Sequence, residues 1–403
     1  FLYFIGPSAM SSGLGASDDA VQHTNDDSVL SKRSAVQKGY FRDPFLRAFV
    51  PKLARRSPLV NRGYYLRMRA MTERVHEVLT GRPFAAAPAW QCVSLGAGFD
   101  TLGLRTVFKL DTSAANVRTD RCRAWLEADF PSVIDTKRRL LAGMPRDFDA
   151  QTRLVAVPKP AGSPFARLDV EAEDTADTHT DFDVLRPHES STEITDTPQP
   201  PVIRGVGLDL RCPEGGVAEL RRRGFDDSIP TLVYAECVLQ YLTRDASTAF
   251  LKALVDACRS DVVLLTYDQI RPHDAFGRRM SASLRTRGSP LLGCESGLTG
   301  PEQLERRFRD LGLVDVTSAD FFDVARHHMP TDDHVRIDAI EPFDEFEEWA
   351  QMCAHYAITT GRRGPSEQPG AAPLTDIGSD RGAAPSSRNE SSQLQLAPFP
   401  PGR

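Results

Sequence analysis

Val93-Ser94-Leu95-Gly96-Ala97-Gly98-Phe99-Asp100-Thr101 is the stretch on which the reading of the fold turns. The apolar run Cys92-Val93-Ser94-Leu95 stops on two glycines. A strand that runs into a Gly-x-Gly turn brings bare backbone close to a ligand, because no Cβ stands in the way. In doubly wound sheets that turn lies beside the crevice at the carboxyl ends of the strands. A dinucleotide fold needs a third glycine at position 101, so that the next helix can approach a pyrophosphate. Thr101 stands there instead. That disfavours an NAD dehydrogenase and suits a ligand without a pyrophosphate. Taken alone, the turn is also compatible with an ordinary tight turn.

Working outward, three further apolar runs end in an acid. Ala124 to Ala128 leads to Asp129, Val202 to Leu208 leads to Asp209, and Thr231 to Ala235 leads to Glu236. A carboxylate can accept from the vicinal hydroxyls of a ribose or from an adenine amino group, and such bonds are charge-assisted. A single strand-end acid is commonly a helix cap or a solvated loop residue. Three of them after successive strands, following a Gly-x-Gly turn, read as a nucleoside site. The gap from Gly96 to Asp129 exceeds the ~20 residues of a dinucleotide fold. A segment around 106–122 is expected to carry the excess.

Basic residues precede the turn: Lys32 and Arg33, then Arg62 and Arg67. Residues 64–79 place Tyr64, Met68, Met71, Val75, Val78 and Leu79 at helical spacing, ending at Gly81. Arg67 sits at the edge of that apolar stripe, where a guanidinium can point into a crevice. Most Lys and Arg on a helix simply face solvent, and sequence physics alone does not single these out. No Ser/His/Asp set is visible, and no metal-spaced histidines. The adjacent His327-His328 read as surface residues.

Downstream, Asp245 to Cys258 reads as a helix and Val262 to Tyr267 as a buried strand. Pro301 to Leu311 reads as a helix, with Val314 to Thr317 and Cys353 to Thr359 as the last strands. Strands alternating with helices predict an α/β domain with a mostly parallel sheet. Residues 1–27 read as a disordered N-terminal tail, 28–363 as the domain, 171–201 as a disordered insertion within it, and 364–403 as a disordered C-terminal tail. The segment before Met10, which opens on Phe1, reads as a truncated end or a gene-model artefact. It lacks the marks of a signal peptide.

Composition narrows the partners. The net charge is −6, which argues mildly against nucleic acid without excluding a local basic pocket. Seven scattered cysteines form no CxxC pair. A reducing cytoplasm without disulfides or zinc is the expectation. No apolar run reaches membrane-spanning length.

Taken together, the motifs resemble leucine carboxyl methyltransferases, which methylate the C-terminal leucine of the type 2A protein phosphatase catalytic subunit. The resemblance rests on Ser31-Lys32-Arg33, Gly39-Tyr40-Phe41-Arg42-Asp43-Pro44-Phe45, Asn61-Arg62-Gly63-Tyr64 and the Gly turn. It continues through Glu127-Ala128-Asp129-Phe130-Pro131, Asp209-Leu210-Arg211, the run Ala235 to Leu242, and Tyr267-Asp268-Gln269. It spans roughly residues 28–361.

The resemblance implies a class I S-adenosylmethionine-dependent methyltransferase fold. That fold is Rossmann-like, with a seven-stranded, mostly parallel sheet, an antiparallel last strand and an N-terminal helical cap. It implies S-adenosylmethionine held by Lys32, Arg67, Gly96, Asp129, Asp209, Leu210 and Glu236. Asp129 would take the ribose, Asp209 and Leu210 the adenine, and Gly96 the methionine part. Arg67 and Lys32 would neutralise carboxylates at the active site, and Tyr241 would line the methyl-transfer site. The expected partner is the phosphatase catalytic subunit's C-terminal tail, with no nucleic acid or membrane and a monomeric state. A small-molecule O-methyltransferase of secondary metabolism is the alternative. A tRNA-modifying relative ranks lower, on the acidic charge and the lack of repeats after residue 361. A non-catalytic binding module is disfavoured by the intact set of site residues.

Overall fold

The computed structural model describes residues 18–50, 54–142, 183–185, 201–327 and 329–364. Three helices precede the sheet: α1 (Asp18–Lys38), α2 (Leu46–Phe49) and α3 (Pro58–Thr80). Pro58 suits the first turn of α3, where its missing N–H would be unpaired anyway, and Gly81 closes the helix. Then come β1 (Trp90–Leu95), α4 (Leu102–Val107), β2 (Cys122–Asp129), α5 (Pro131–Ala142), β3 (Asp183–Leu185) and β4 (Pro201–Gly207). They are followed by α6 (Pro213–Arg222), β5 (Thr231–Glu236), α7 (Arg244–Ala257), β6 (Val262–Gln269), α8 (Ala275–Thr286) and α9 (Leu292–Glu295). The chain closes with α10 (Pro301–Asp310), β7 (Val314–Asp320), α11 (Phe321–His327), α12 (Thr331–Asp338), α13 (Phe346–Ala354) and β8 (Tyr356–Arg363).

The strands form one sheet in the order β3-β4-β2-β1-β5-β6-β8-β7. β4, β2, β1, β5 and β6 are parallel neighbours. β8 runs antiparallel between β6 and β7. This is the expected class I methyltransferase frame, with its last strand antiparallel. The sheet has eight strands rather than seven, because β3 adds an antiparallel edge beside β4.

Both faces of the sheet are covered, so its strands are buried throughout. In β1, Trp90 and Cys92 point to the side where α1, α2 and α3 pack. Val93 and Leu95 point to the side of α6, α7 and α10. β6 is buried at every position, as its continuous apolar run requires.

Other expectations are corrected. The tail read over 1–27 gives way at Asp18, where α1 begins. Of the inner residues before 28, Asn25 is polar and only Val21 packs on an apolar cluster, so no continuous apolar stripe announces the helix. Within the segment 171–201, residues 183–185 form β3; the rest of that insertion, up to Pro201 at the start of β4, lies outside the described residues. So do residues 1–17, 365–403 and His328. Cys353 belongs to α13, and the last strand starts at Tyr356. The excess between Gly96 and Asp129 is taken up by two 3-10 turns, Thr112–Asn116 and Thr119–Arg121. His76 of α3 holds the first of them through Ser113 at 2.7 Å.

Among the described residues no helix is long and apolar enough to cross a membrane. All seven cysteines are free.

Candidate cofactor and acceptor site

Order reverses between β1 and β5, since the chain winds outward from β1 in both directions. Such a switch point opens a crevice at the carboxyl ends of the strands. Across that edge stand, in spatial order, Asp209 after β4, Asp129 at the end of β2, the glycine turn after β1, and Glu236 at the end of β5. All eight residues predicted from sequence line one cavity of about 250 Å³: Lys32, Arg67, Gly96, Asp129, Asp209, Leu210, Glu236 and Tyr241.

The turn needs both glycines. Gly96 and Gly98 have φ of 61° and 46°, the left-handed region that side chains rarely adopt. A Cβ on Gly96 would lie 2.3 Å from Cγ2 of Val238, and one on Gly98 2.4 Å from Oδ1 of Asn25. The Gly98 N–H donates to Asp129 Oδ2 at 2.7 Å, and the Phe130 N–H to Asp129 Oδ1 at 2.7 Å. The two donors fix the orientation of the Asp129 carboxylate. Burial still holds its pKa above the ordinary value, outweighing those donors and Lys137.

The densest electrostatics lie under β5. Arg67 Nε donates to Glu236 Oε1. Lys32 Nζ lies 3.2 Å from the same oxygen and 3.4 Å from Asp100 Oδ1. The Arg67 guanidinium also lies over the rings of Tyr64 and Tyr267, 5.5 and 5.3 Å from their centroids. Lys32 and Arg67 are buried, and the Glu236 side chain is only 11% exposed. Burial alone would raise the Glu236 pKa, but Arg67 and Lys32 override it and bring it down to about 2. Burial would likewise discharge Lys32, yet Glu236 and Asp100 raise its pKa. The carboxylate that Lys32 and Arg67 neutralise here is therefore one of the chain's own. Neither Nη of Arg67 has a hydrogen-bond partner among the described residues.

At the β4 end, both oxygens of Asp209 are engaged by Arg211. Its Nε lies 2.9 Å from Oδ1 and its Nη2 2.6 Å from Oδ2. The same guanidinium makes a bidentate contact with Asp18 of α1, at 2.9 and 2.8 Å. Burial raises the Asp209 pKa less than Arg211 lowers it. Tyr241 is buried in a small cluster with Met280, Leu284, Leu291 and Cys294. Burial pushes its phenol well up, so it stays protonated. Cys237, beside it in the cavity, has φ 57°, and burial pushes its thiol up to about 12.

Sequence reasoning missed the contribution of α1. Val21, Asn25, Ser28 and Val29 line the cavity from the same face of that helix as Lys32, which the family resemblance had named. Asn25 Oδ1 accepts from the Phe99 N–H at 2.8 Å. The i, i+3, i+4 spacing was present, but a half-polar face carries little hydrophobic signal. Asp18, Asp100 and Arg211 were missed for a different reason, because their partners are distant in sequence.

Among the described residues no group of three or more His, Cys, Asp or Glu could hold a metal ion. A profile of the family described as leucine carboxyl methyltransferase matches residues 20–168 and 184–255. Human tRNA wybutosine-synthesizing protein 4 is 36% identical over 86% of this chain, and the chain spans only 44% of that protein's length. The leucine carboxyl methyltransferase 1 homolog of Arabidopsis thaliana is 32% identical over 84% of this chain and 88% of its own length. Leucine carboxyl methyltransferase 1 of Bos taurus is 27% identical over 89% of this chain and 94% of its own.

Proposed function

The chain belongs to the leucine carboxyl methyltransferase family, and we propose that it transfers the methyl group of S-adenosylmethionine to an acceptor carboxylate. The carrying observation is the Arg67–Glu236 pair in the same cavity as the glycine turn and two strand-end acids.

The residues fit that cofactor. The Gly96 and Gly98 positions form a cradle that a Cβ would fill. Asp129 presents an oriented carboxylate suited to ribose hydroxyls. Asp209 and Leu210 suit an adenine edge, and Gly96 and Glu236 suit a methionine zwitterion. When bound, S-adenosylmethionine supplies an electrophilic methyl carbon on a sulfonium.

An acceptor α-carboxylate, with a pKa near ~3.5, is already ionised at neutral pH. It needs no general base, and Tyr241 and Cys237 cannot serve as one, because burial keeps both protonated. Arg67 would hold the acceptor through its Nη groups. Because Glu236 draws on the same guanidinium, the attacking oxygen is not locked in a full ion pair. Catalysis then rests on orientation, which can supply on the order of 7–11 kcal/mol.

Two acceptors follow from the relatives. The family resemblance supports the C-terminal leucine of the type 2A phosphatase catalytic subunit. A second reading, a precursor carried on tRNA, is favoured by a specific observation. The human tRNA wybutosine-synthesizing protein, at 36% identity, is more similar to this chain than the bovine leucine carboxyl methyltransferase, at 27%.

The test is transfer of labelled methyl from S-adenosylmethionine to intact phosphatase catalytic subunit, to its C-terminal peptide, and to tRNA from cells lacking this protein. A carboxyl ester releases its label as methanol in mild base. Base-labile label on one acceptor identifies it. Absence of base-labile label on all three overturns the carboxylate reading.

A further inference from the structure

Gln269 closes both the motif Tyr267-Asp268-Gln269 and strand β6. Side chains alternate along a strand, so Gln269 shares a face of the sheet with Tyr267, while Asp268 points to the other. In the β6–β8 ladder the register partner of Gln269 is Tyr356. Tyr356 stacks on Tyr267, with ring centroids 5.3 Å apart and planes 5° from parallel. The Arg67 guanidinium lies over the same Tyr267 ring. Gln269 therefore meets the cavity at the end that holds Arg67, together with Tyr64, Tyr241 and Tyr356.

The backbone of Gln269 is anchored. Its C=O accepts from Gln240 Nε2 at 2.9 Å and from Cys294 Sγ at 3.5 Å. The side chain is the opposite case. The residue is 2% exposed, and its Oε1 is buried without a hydrogen-bond partner. An amide oxygen buried without a donor costs free energy, and a native fold that keeps one calls for a reason. No donor among the described residues reaches it, whereas a ligand in the cavity can. The methionine ammonium of S-adenosylmethionine is one donor, but Glu236 and the glycine turn suit that group. An ionised acceptor carboxylate has no donor to give. The donor that remains is a second group on the acceptor, close to its carboxylate.

We propose that Gln269 Oε1 accepts from an N–H on the carbon that bears the acceptor carboxylate, while Arg67 holds the carboxylate itself. The proposal rests on the carboxylate reading above. It narrows that reading to acceptors built as α-amino acids whose nitrogen keeps a hydrogen. Gln269 lies two strand residues beyond Tyr267, about 6.6 Å along β6, and Arg67 sits over Tyr267. One compact acceptor group spans that interval. Simple fatty acids and keto acids lack the donor, and so does a C-terminal proline. A site built to bond an N–H rejects an analogue without it, because the site's own polar group is then left unpaired. Gln269 is thus a specificity residue for the acceptor and not for the cofactor.

The test uses the full chain, labelled S-adenosylmethionine and a matched pair of peptides. Both carry the C-terminal sequence of the type 2A phosphatase catalytic subunit, and in one the last amide N–H is replaced by an ester oxygen. tRNA from cells lacking this protein is the third acceptor. Wild type should methylate the amide peptide with a kcat/KM at least about tenfold above that for the ester peptide. Gln269→Met should bring the amide peptide down to the ester and leave the ester unchanged, as a coupled pair requires. If tRNA alone takes base-labile label, Gln269→Met should lower kcat/KM on it by at least about tenfold. The variant should bind S-adenosylhomocysteine as wild type does. It should unfold at the wild-type temperature or above it, since an unpaired buried oxygen is gone. A glutamine with a merely structural role would show the reverse, a lower midpoint with discrimination intact. Equal wild-type turnover of the two peptides overturns the proposal. So does wild-type kcat/KM in Gln269→Met on the acceptor that is methylated, or a loss of S-adenosylhomocysteine affinity in that variant. The carboxylate reading fails separately: if wild type places base-labile label on none of the three, that reading falls and the role of Gln269 falls with it.

Discussion

Glu236 and Arg67 lie 169 residues apart in the chain and meet side chain to side chain in the cavity. Lys32 shares the same carboxylate oxygen. One carboxylate therefore serves as counterion to two buried cations, with Asp100 supporting Lys32 from the other side.

Glu236→Gln should leave Lys32 and Arg67 without that anion and destabilise the protein by about 3–5 kcal/mol, the usual cost of breaking a buried pair. The pH dependence has a definite sign. The folded Glu236 pKa, about 2, lies below its ordinary value of 4.5. Its contribution is present above the unfolded value and is lost as pH falls from about 4.5 toward 2. Lys32 is shifted upward, so its contribution holds below its ordinary value and is lost as pH rises through the raised one. Urea unfolding at pH 7 and pH 3 checks this: the variant should lose most of the wild-type difference between them. An unchanged difference would remove Glu236 from the account.

Turnover should be flat from pH 6 to 9. The acceptor carboxylate is ionised throughout that range. The Tyr241 phenol and the Cys237 thiol are shifted above it, and no histidine lines the cavity. Methyl transfer at saturating substrates would report a catalytic base as a limb with unit slope.

Gly96→Ala should cost about 1–3 kcal/mol in backbone strain, plus the displacement of Val238, whose Cγ2 would lie 2.3 Å from the new methyl. The turn should distort with the sheet intact. Calorimetry should show S-adenosylhomocysteine affinity falling by more than tenfold while the far-ultraviolet circular dichroism is unchanged.

Asp18→Ala should speed S-adenosylhomocysteine dissociation several-fold. It releases α1 from Arg211 while Asp209 keeps its own contacts with Arg211. Arg211→Ala should weaken equilibrium affinity more, because it frees both carboxylates at once. Stopped-flow dissociation separates the two effects. Identical off-rates in Asp18→Ala and wild type would show that this contact does not hold α1 closed.

The sheet was legible because its strands are short apolar runs that end where chemistry begins. Val262 to Tyr267 and Thr231 to Ala235 read as strands from their apolar runs, and Glu236 after the second marks the crevice edge, whereas Asp268 after the first is buried outside the cavity lining. The β8 boundary was not legible, since Cys353 to Thr359 is as apolar for a helix end as for a strand. α1 before residue 28 was hidden because its inner residues, Asn25 and Ser28 among them, meet polar groups rather than a core. The roles of Asp100 and Arg211 depend on partners that no local pattern reveals. Arg67 was found only through family resemblance, because its counterion lies beyond the turn and four strands away in sequence.

α1 has one more consequence, for the order in which the protein is made. It leaves the ribosome before β1 does. Its contacts come from Phe99, then Arg211, then Glu236, and later still from Arg287 and Glu341. A nascent chain halted before residue 236 already holds the glycine turn, yet Lys32 and Arg67 have no Glu236 to hold them. Domains tend to fold from the N-terminus as synthesis proceeds, but here α1, made before β1, is among the last elements to be fully seated. Cofactor capture thus becomes a late event in biosynthesis, and a bound nucleoside marks a chain whose sheet has closed through β5.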